Sequence, residues 1–195
     1  ARWLALFAEH TIHTQPGLLI AQATLRATTW NYTRLPPLFV QIERSLQADA
    51  TLSADRHKTL QAHLDLLRGI FLFRQGEVRP AVTHLQAALA NLPATHESSR
   101  VQAISFLAWA YSTTGQRAAG FTLLHTALAE DAAYGRATSI IVLGACIIAH
   151  LYAGELLEAA QTATRLLALT AAPHMPKAWQ GVSFVEVWRQ YAHYY

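Results

Sequence analysis

Apolar and small residues recur along this chain at helical spacing. Ala81, Leu85, Ala88 and Leu89 fall at i, i+4, i+7 and i+8, the stripe that one face of an α-helix presents to a core. The series returns 39 positions later as Gly120, Leu124, Ala127 and Leu128, and again as Ala159, Ala163, Leu166 and Leu167. Glycines keep the same step at Gly76, Gly115 and Gly154. With nine glycines among 195 residues, two further matches at a fixed step arise by chance about two times in a thousand. The period is therefore a true internal repeat.

Each repeat follows one plan. An apolar helix runs into the glycine, which takes the left-handed conformation that closes a helix C-terminus. A polar residue follows, Glu77, Gln116 or Glu155, and then a second helix. The second helix turns a small residue, Ala81, Gly120 or Ala159, toward its partner so that the two backbones approach closely. Because its counterparts are alanines, Gly120→Ala is expected to be neutral or stabilising, whereas Gly120→Leu should overpack the contact. Pro80 sits in the first turn of such a helix, where the missing N–H costs nothing. Upstream, residues 18–29 and 38–46 read as another pair joined around residues 34–37; downstream, residues 177–195 read as a first helix without its partner. The predicted architecture is all-α: a right-handed solenoid of antiparallel helix pairs over about residues 17–49, 58–92, 100–131 and 137–170, forming one domain across 1–195.

Composition narrows the function classes. The hydrophobic fraction is 52%, the charged fraction 14% and the mean hydropathy +0.17, which excludes a disordered, charge-rich chain. At this length roughly 70% of the unfolded surface can be buried, enough for a self-sufficient core. The net charge of +3 comes from scattered residues and does not argue for nucleic-acid binding. Residues 137–154 carry no Asp, Glu, Lys or Arg over about 18 positions, the lower limit for a membrane span. They also hold Thr138, Ser139, two glycines and His150, and they keep the repeat register, so a buried repeat helix is the expectation. No leader segment is recognisable, and the chain reads as a piece of a larger, cytoplasmic protein.

The repeat resembles the tetratricopeptide class. The residues that carry the likeness are Gly69, Leu72, Ala81, Leu85, Ala88 and Pro93 in one unit, then Ala108, Tyr111, Gly120, Leu124 and Ala127, then Ile147 and His150. The period is 39 where that class has about 34. Trp3-Leu4, Leu6, Pro16-Gly17-Leu18-Leu19, Leu67-Arg68-Gly69 and the run from Gly154 to Ala159 are, taken together, similar to the helical-repeat region of large LuxR-type, MalT-like ATP-dependent transcriptional activators. The chain departs from that pattern at Phe7, where the family has proline, and in lacking a tight glycine turn in its first pair. The resemblance implies an effector-sensing region placed between an ATPase module and a DNA-binding module. It implies as partners a small-molecule or protein effector and the other domains of the parent chain, without direct nucleic-acid or membrane contact.

Catalytic and metal signatures are absent from the sequence. There is no Gly-x-x-x-x-Gly-Lys loop, no Gly-x-Ser-x-Gly elbow, and the one cysteine, Cys146, falls among aliphatic residues. Ten histidines invite a metal reading, but His10 with His13 supplies only two donors, and His57 and His63, six apart, share no helix face. His150 stands where the repeat usually has an aromatic and reads as a hydrogen-bonded core histidine. No enzyme, cofactor or metal is expected. The aromatic stripe of Trp179, Phe184, Trp188, Tyr191, Tyr194 and Tyr195 reads as a packing face, open to self-association.

The tetratricopeptide likeness also places the concave groove. It implies His63, Leu66, Ile70, Phe73 and Arg74 from one unit, Gln102, Ser105, Trp109, Ser112 and Thr113 from the next, and Ile141, Gly144, Ile148, Leu151 and Tyr152 from the third. From these the expected ligand-binding residues are Phe73, Arg74, Ser105, Trp109, Ser112 and Tyr152. Hydroxyls and a glycine around an aromatic leave room and hydrogen-bond partners, and Arg74 adds a planar donor. The competing expectation is a plain protein-interaction scaffold with no small ligand.

Overall fold

In the computed structural model the described residues are 14–29, 31–134 and 136–170, with the isolated positions 7 and 11. The expected final helix over 177–195, its aromatic stripe, and Trp3, His10 and His13 lie outside them. Among the described residues every regular element is helical: α1 (Pro16–Thr28), a short 3-10 turn (Tyr32–Arg34), α2 (Leu35–Ala48), α3 (Ala54–Arg74), α4 (Val78–Asn91), α5 (Glu97–Thr113), α6 (Arg117–Tyr134), α7 (Arg136–Tyr152) and α8 (Leu156–Thr170). The chain divides into two compact units, residues 1–103 and 104–195, with the division falling inside α5.

The repeat has a clear structural cause. Gly76, Gly115 and Gly154 hold φ of +82°, +79° and +75°. A Cβ on any of them would meet nothing within 4 Å, so it is the left-handed backbone, and not crowding, that requires glycine. The residue after each glycine closes a six-residue ring. The N–H of Glu77 donates to the carbonyl of Leu72 at 2.9 Å, that of Gln116 to Tyr111 at 2.8 Å and that of Glu155 to His150 at 2.9 Å. This is the Schellman closure of a helix C-terminus, made three times at the same step.

In the first unit α1, α2 and α3 enclose one core. Leu19 and Ala23 from α1, Leu35 and Ile42 from α2, and Leu64 from α3 are fully buried. Pro36 and Pro37, read as part of the joint between the first two helices, instead open α2, where their missing N–H groups leave no intrahelical bond unmade. Ser53 caps α3 by accepting from the Arg56 N–H at 3.2 Å. α4 packs along α3 through Ala81, Leu85 and Ala88, and the His84 Nδ1 meets Asp65 Oδ1 at 2.8 Å beside them. Arg100 closes the far end of α4, donating to the carbonyls of Leu89 at 3.1 Å and Leu92 at 2.9 Å.

In the second unit the core lies between α7 and α8, with Leu143, Ile147, Ala163 and Leu166 at its centre and Leu128 of α6 against it. α7 contains most of the uncharged run, and no helix among the described residues is long and apolar enough to cross a membrane. Gly120 of α6 lies against the backbone of Ala108 in α5.

Candidate functional site

The six residues expected to bind a ligand fall in both units. Phe73 and Arg74 end α3 in the first, half-buried and exposed respectively, and Arg74 stands in the last turn where a cation complements the helix dipole. In the second unit Ser105 is 4% exposed and points into packed structure. The Trp109 indole N–H donates to the Ala145 carbonyl of α7 at 2.9 Å, and its ring meets Phe106 edge-on at 4.7 Å. The Ser112 hydroxyl donates to Ala108 O at 2.9 Å within its own helix. Tyr152, at the end of α7, is 49% exposed, and the space beside Gly144 is open. Trp109 thus ties α5 to α7, spending its one donor on a backbone carbonyl.

A second cluster in that unit joins two consecutive turns. Arg117, just after the Gly115 turn, forms an ion pair with Glu155 of the Gly154 turn. The Glu155 carboxylate also meets His150 Nδ1 at 2.9 Å, and the Phe121 ring lies 4.5 Å from that of His150 and 5.4 Å from the Arg117 guanidinium. The His150 hydrogen bond, then the nearby Arg117 charge, holds the Glu155 carboxyl below its usual range against the opposing effect of burial. His150 is therefore the hydrogen-bonded histidine its position implied. Cys146 is buried in α7, and burial pushes its thiol up to about 11, leaving it protonated and a poor nucleophile at neutral pH. Among the described residues no three His, Cys, Asp or Glu side chains gather as a metal site would require.

Two cavities in the first unit have the size of ligand sites. One, of about 850 Å³, lies beside α2 and is lined by Thr14, Gln41, Arg44, Ser45 and Asp49 among others. The second, of about 510 Å³, runs between α1 and the first half of α3 and ends at the start of α5. Its α1 wall consists of Gly17, Ile20, Ala21, Thr24, Leu25 and Thr28; α3 contributes Arg56, Leu60 and His63, and His96 and Ser99 complete it. His63 Nε2 and His96 Nδ1 stand 2.9 Å apart with ring centroids at 5.1 Å. Arg56 and His63 are seven apart on α3 and so share the face that looks into the groove. The Arg56 guanidinium lies against the start of α1: a Cβ on Gly17 would sit 3.6 Å from it.

No known protein family, no curated protein and no solved structure matches the chain.

The groove chemistry therefore rests on the residues themselves. The tetratricopeptide likeness implied an inward face for His63 but gave no sign of His96, which lies 33 positions away in the connection between α4 and α5. Burial, followed by the neighbouring His96 and Arg56, lowers the His63 pKa to about 4. Histidine in an unfolded chain titrates near 6.5. Between those values the unfolded state binds more protons, so stability is present above about pH 6.5 and is lost as pH falls toward 4. His63 is partly exposed, and solvent screening reduces the effect to a few degrees in Tm. Melting followed by circular dichroism from about pH 7 to about pH 5 should show a steeper fall for the native chain than for His63→Gln. Parallel curves would remove His63 as the titrating group.

Proposed function

We propose that the chain is an effector-sensing, ligand- or protein-binding helical-repeat domain of a cytoplasmic bacterial transcriptional regulator of the MalT-like type. In this reading effector binding favours one geometry of the helix pairs, and an ATPase module and a DNA-binding module elsewhere in the parent polypeptide respond to that geometry. The observation that carries the reading is the thrice-made Schellman turn with its left-handed glycine, which supports a chain built of tandem helix pairs. The groove of about 510 Å³ favours a small ligand over a plain scaffold, because its size is in the range of ligand pockets and polar groups converge on it.

A thermal-shift screen of the chain with sugars, amino acids and other metabolites tests this. A ligand at 100 times its Kd adds about 2.7 kcal/mol, a shift of several degrees. At least one saturable stabilising compound is expected. A screen in which no compound moves Tm would favour the protein-interaction scaffold.

A further inference from the structure

The groove between α1 and α3 combines three features. The first is an uncompensated cation: among the described residues no carboxylate reaches salt-bridge distance of Arg56. The start of α1 adds its own positive end at the same place, with no acidic residue in its first turn. The second is the histidine pair. With 2.9 Å between ring nitrogens, one ring donates and the other accepts. A further proton there would make one ring of the pair a cation beside Arg56, and an added negative charge relieves that arrangement. The third is an apolar wall from Ile20, Leu25 and Leu60 next to these groups.

We infer that this groove binds a small amphipathic anion, its carboxylate or phosphate head held by Arg56 and the His63–His96 pair and its apolar body laid along Ile20 and Leu60. The proposal rests on the sensing reading above only for its biological role; the binding itself follows from the groove. A metal ion is disfavoured because Arg56 repels it, the two ring nitrogens are engaged with each other, and no carboxylate lines the cavity. A cationic ligand fails for the first and last of these reasons. A volume of about 510 Å³ leaves room for a head group and a short hydrocarbon body.

Protons follow from the same geometry. The charged and titratable groups lining the groove are Arg56 and His63 on α3 and His96 before α5, while the α1 wall contributes none. Neutral in the free protein near pH 7, His63 gains a counter-charge when an anion binds and is protonated more readily. Binding therefore takes up a proton and tightens as pH falls.

The test is calorimetry on the intact chain with hexanoate, hexyl phosphate, inorganic phosphate and hexylamine at about pH 6 and about pH 8. Three variants accompany it. Arg56→Gln removes the charge at an exposed position, His63→Gln removes the titrating ring, and Ala21→Leu fills the groove without changing charge. Hexanoate, whose carboxylate stays ionised across this range, should bind several-fold tighter at the lower pH, and hexylamine should not bind. Arg56→Gln should weaken the anions about tenfold, the loss of one charge-assisted contact. His63→Gln should abolish the pH dependence, and Ala21→Leu should weaken the hexyl compounds more than inorganic phosphate. The preference between the two hexyl anions assigns the head group.

Hexylamine binding as well as the anions, or anion affinities unchanged in folded Arg56→Gln and His63→Gln, would overturn the proposal. So would the absence of binding by all three anions. If the anions fail while the metabolite screen finds a stabilising ligand, the sensing reading stands and this site falls. Anion binding that obeys the variants in a chain whose screen finds no metabolite establishes the site and removes its sensing role.

Discussion

Gly120→Ala is expected to destabilise the second unit by about 1–2 kcal/mol, and Gly120→Leu by about 3 kcal/mol or more. A Cβ built on Gly120 would lie 2.8 Å from the Ala108 carbonyl oxygen and 3.4 Å from its carbonyl carbon and Cα. These are backbone atoms, so relief requires α6 to move away from α5, whereas a side chain could have rotated. Alanine recovers up to about 1 kcal/mol of helix propensity, which reduces the cost without cancelling it. This reverses the expectation read from Ala81 and Ala159 at the equivalent positions. Those columns report that a small residue is needed but not how close the facing backbone comes. Gly144→Ala is the internal control. Gly144 is interior to α7, its φ is not positive, and a Cβ there meets nothing within 4 Å. That substitution should stabilise by about 0.5–1 kcal/mol. Calorimetric melts of the two alanine variants should fall on opposite sides of the native Tm. A Gly120→Ala protein as stable as the native chain would mean that the α5–α6 contact is looser than its geometry.

What the sequence exposes depends on how far the cause lies from the residue. The left-handed turns were legible because only glycine adopts that φ without strain, so the backbone requirement is written directly in the residue type. Ala81, Leu85, Leu124, Ala159 and Ala163 were legible as core because helical spacing alone sets which face they share, and all five are buried. Pro80 marked the first turn of α4 for the same local reason. The groove was another matter. His63 and His96 belong to different elements, and His96 sits in a connection outside every repeat column, so no periodicity brings them together. Spacing instead offered His57 and His63, which share no face. Trp109 was expected beside a ligand from its residue type and from the groove position that the tetratricopeptide likeness implies. The carbonyl that takes its N–H, at Ala145, is a backbone group and leaves no mark in the sequence. Arg100 capping α4 through two carbonyls was hidden in the same way.

The contact between α3 and α4 gives the other large effect, and its form is a coupling. Gly69 is the position in α3 that corresponds to Ala108 in α5, and here the roles of the two helices are exchanged. The glycine is on the first helix, and a Cβ on it would meet Leu85 Cγ at 2.6 Å and Cδ2 at 2.8 Å. Leu85 is 0% exposed and cannot swing aside into solvent. Gly69→Ala should therefore cost about 1–3 kcal/mol by overpacking. Leu85→Ala should cost about 2–5 kcal/mol through lost burial and the cavity it leaves. The double variant should be less destabilised than the sum of the two, by about 1 kcal/mol or more, because the new methyl at 69 enters the space the leucine vacates. The nearest atom then left to it is the backbone nitrogen of residue 85 at 3.2 Å, a tight contact that leaves the rescue incomplete. Urea unfolding of all four proteins closes the cycle, with equal m-values confirming that the same transition is compared. Strict additivity would show that α3 and α4 separate when the methyl is added, so that the glycine serves the spacing of the whole helix pair and not the fit around one leucine.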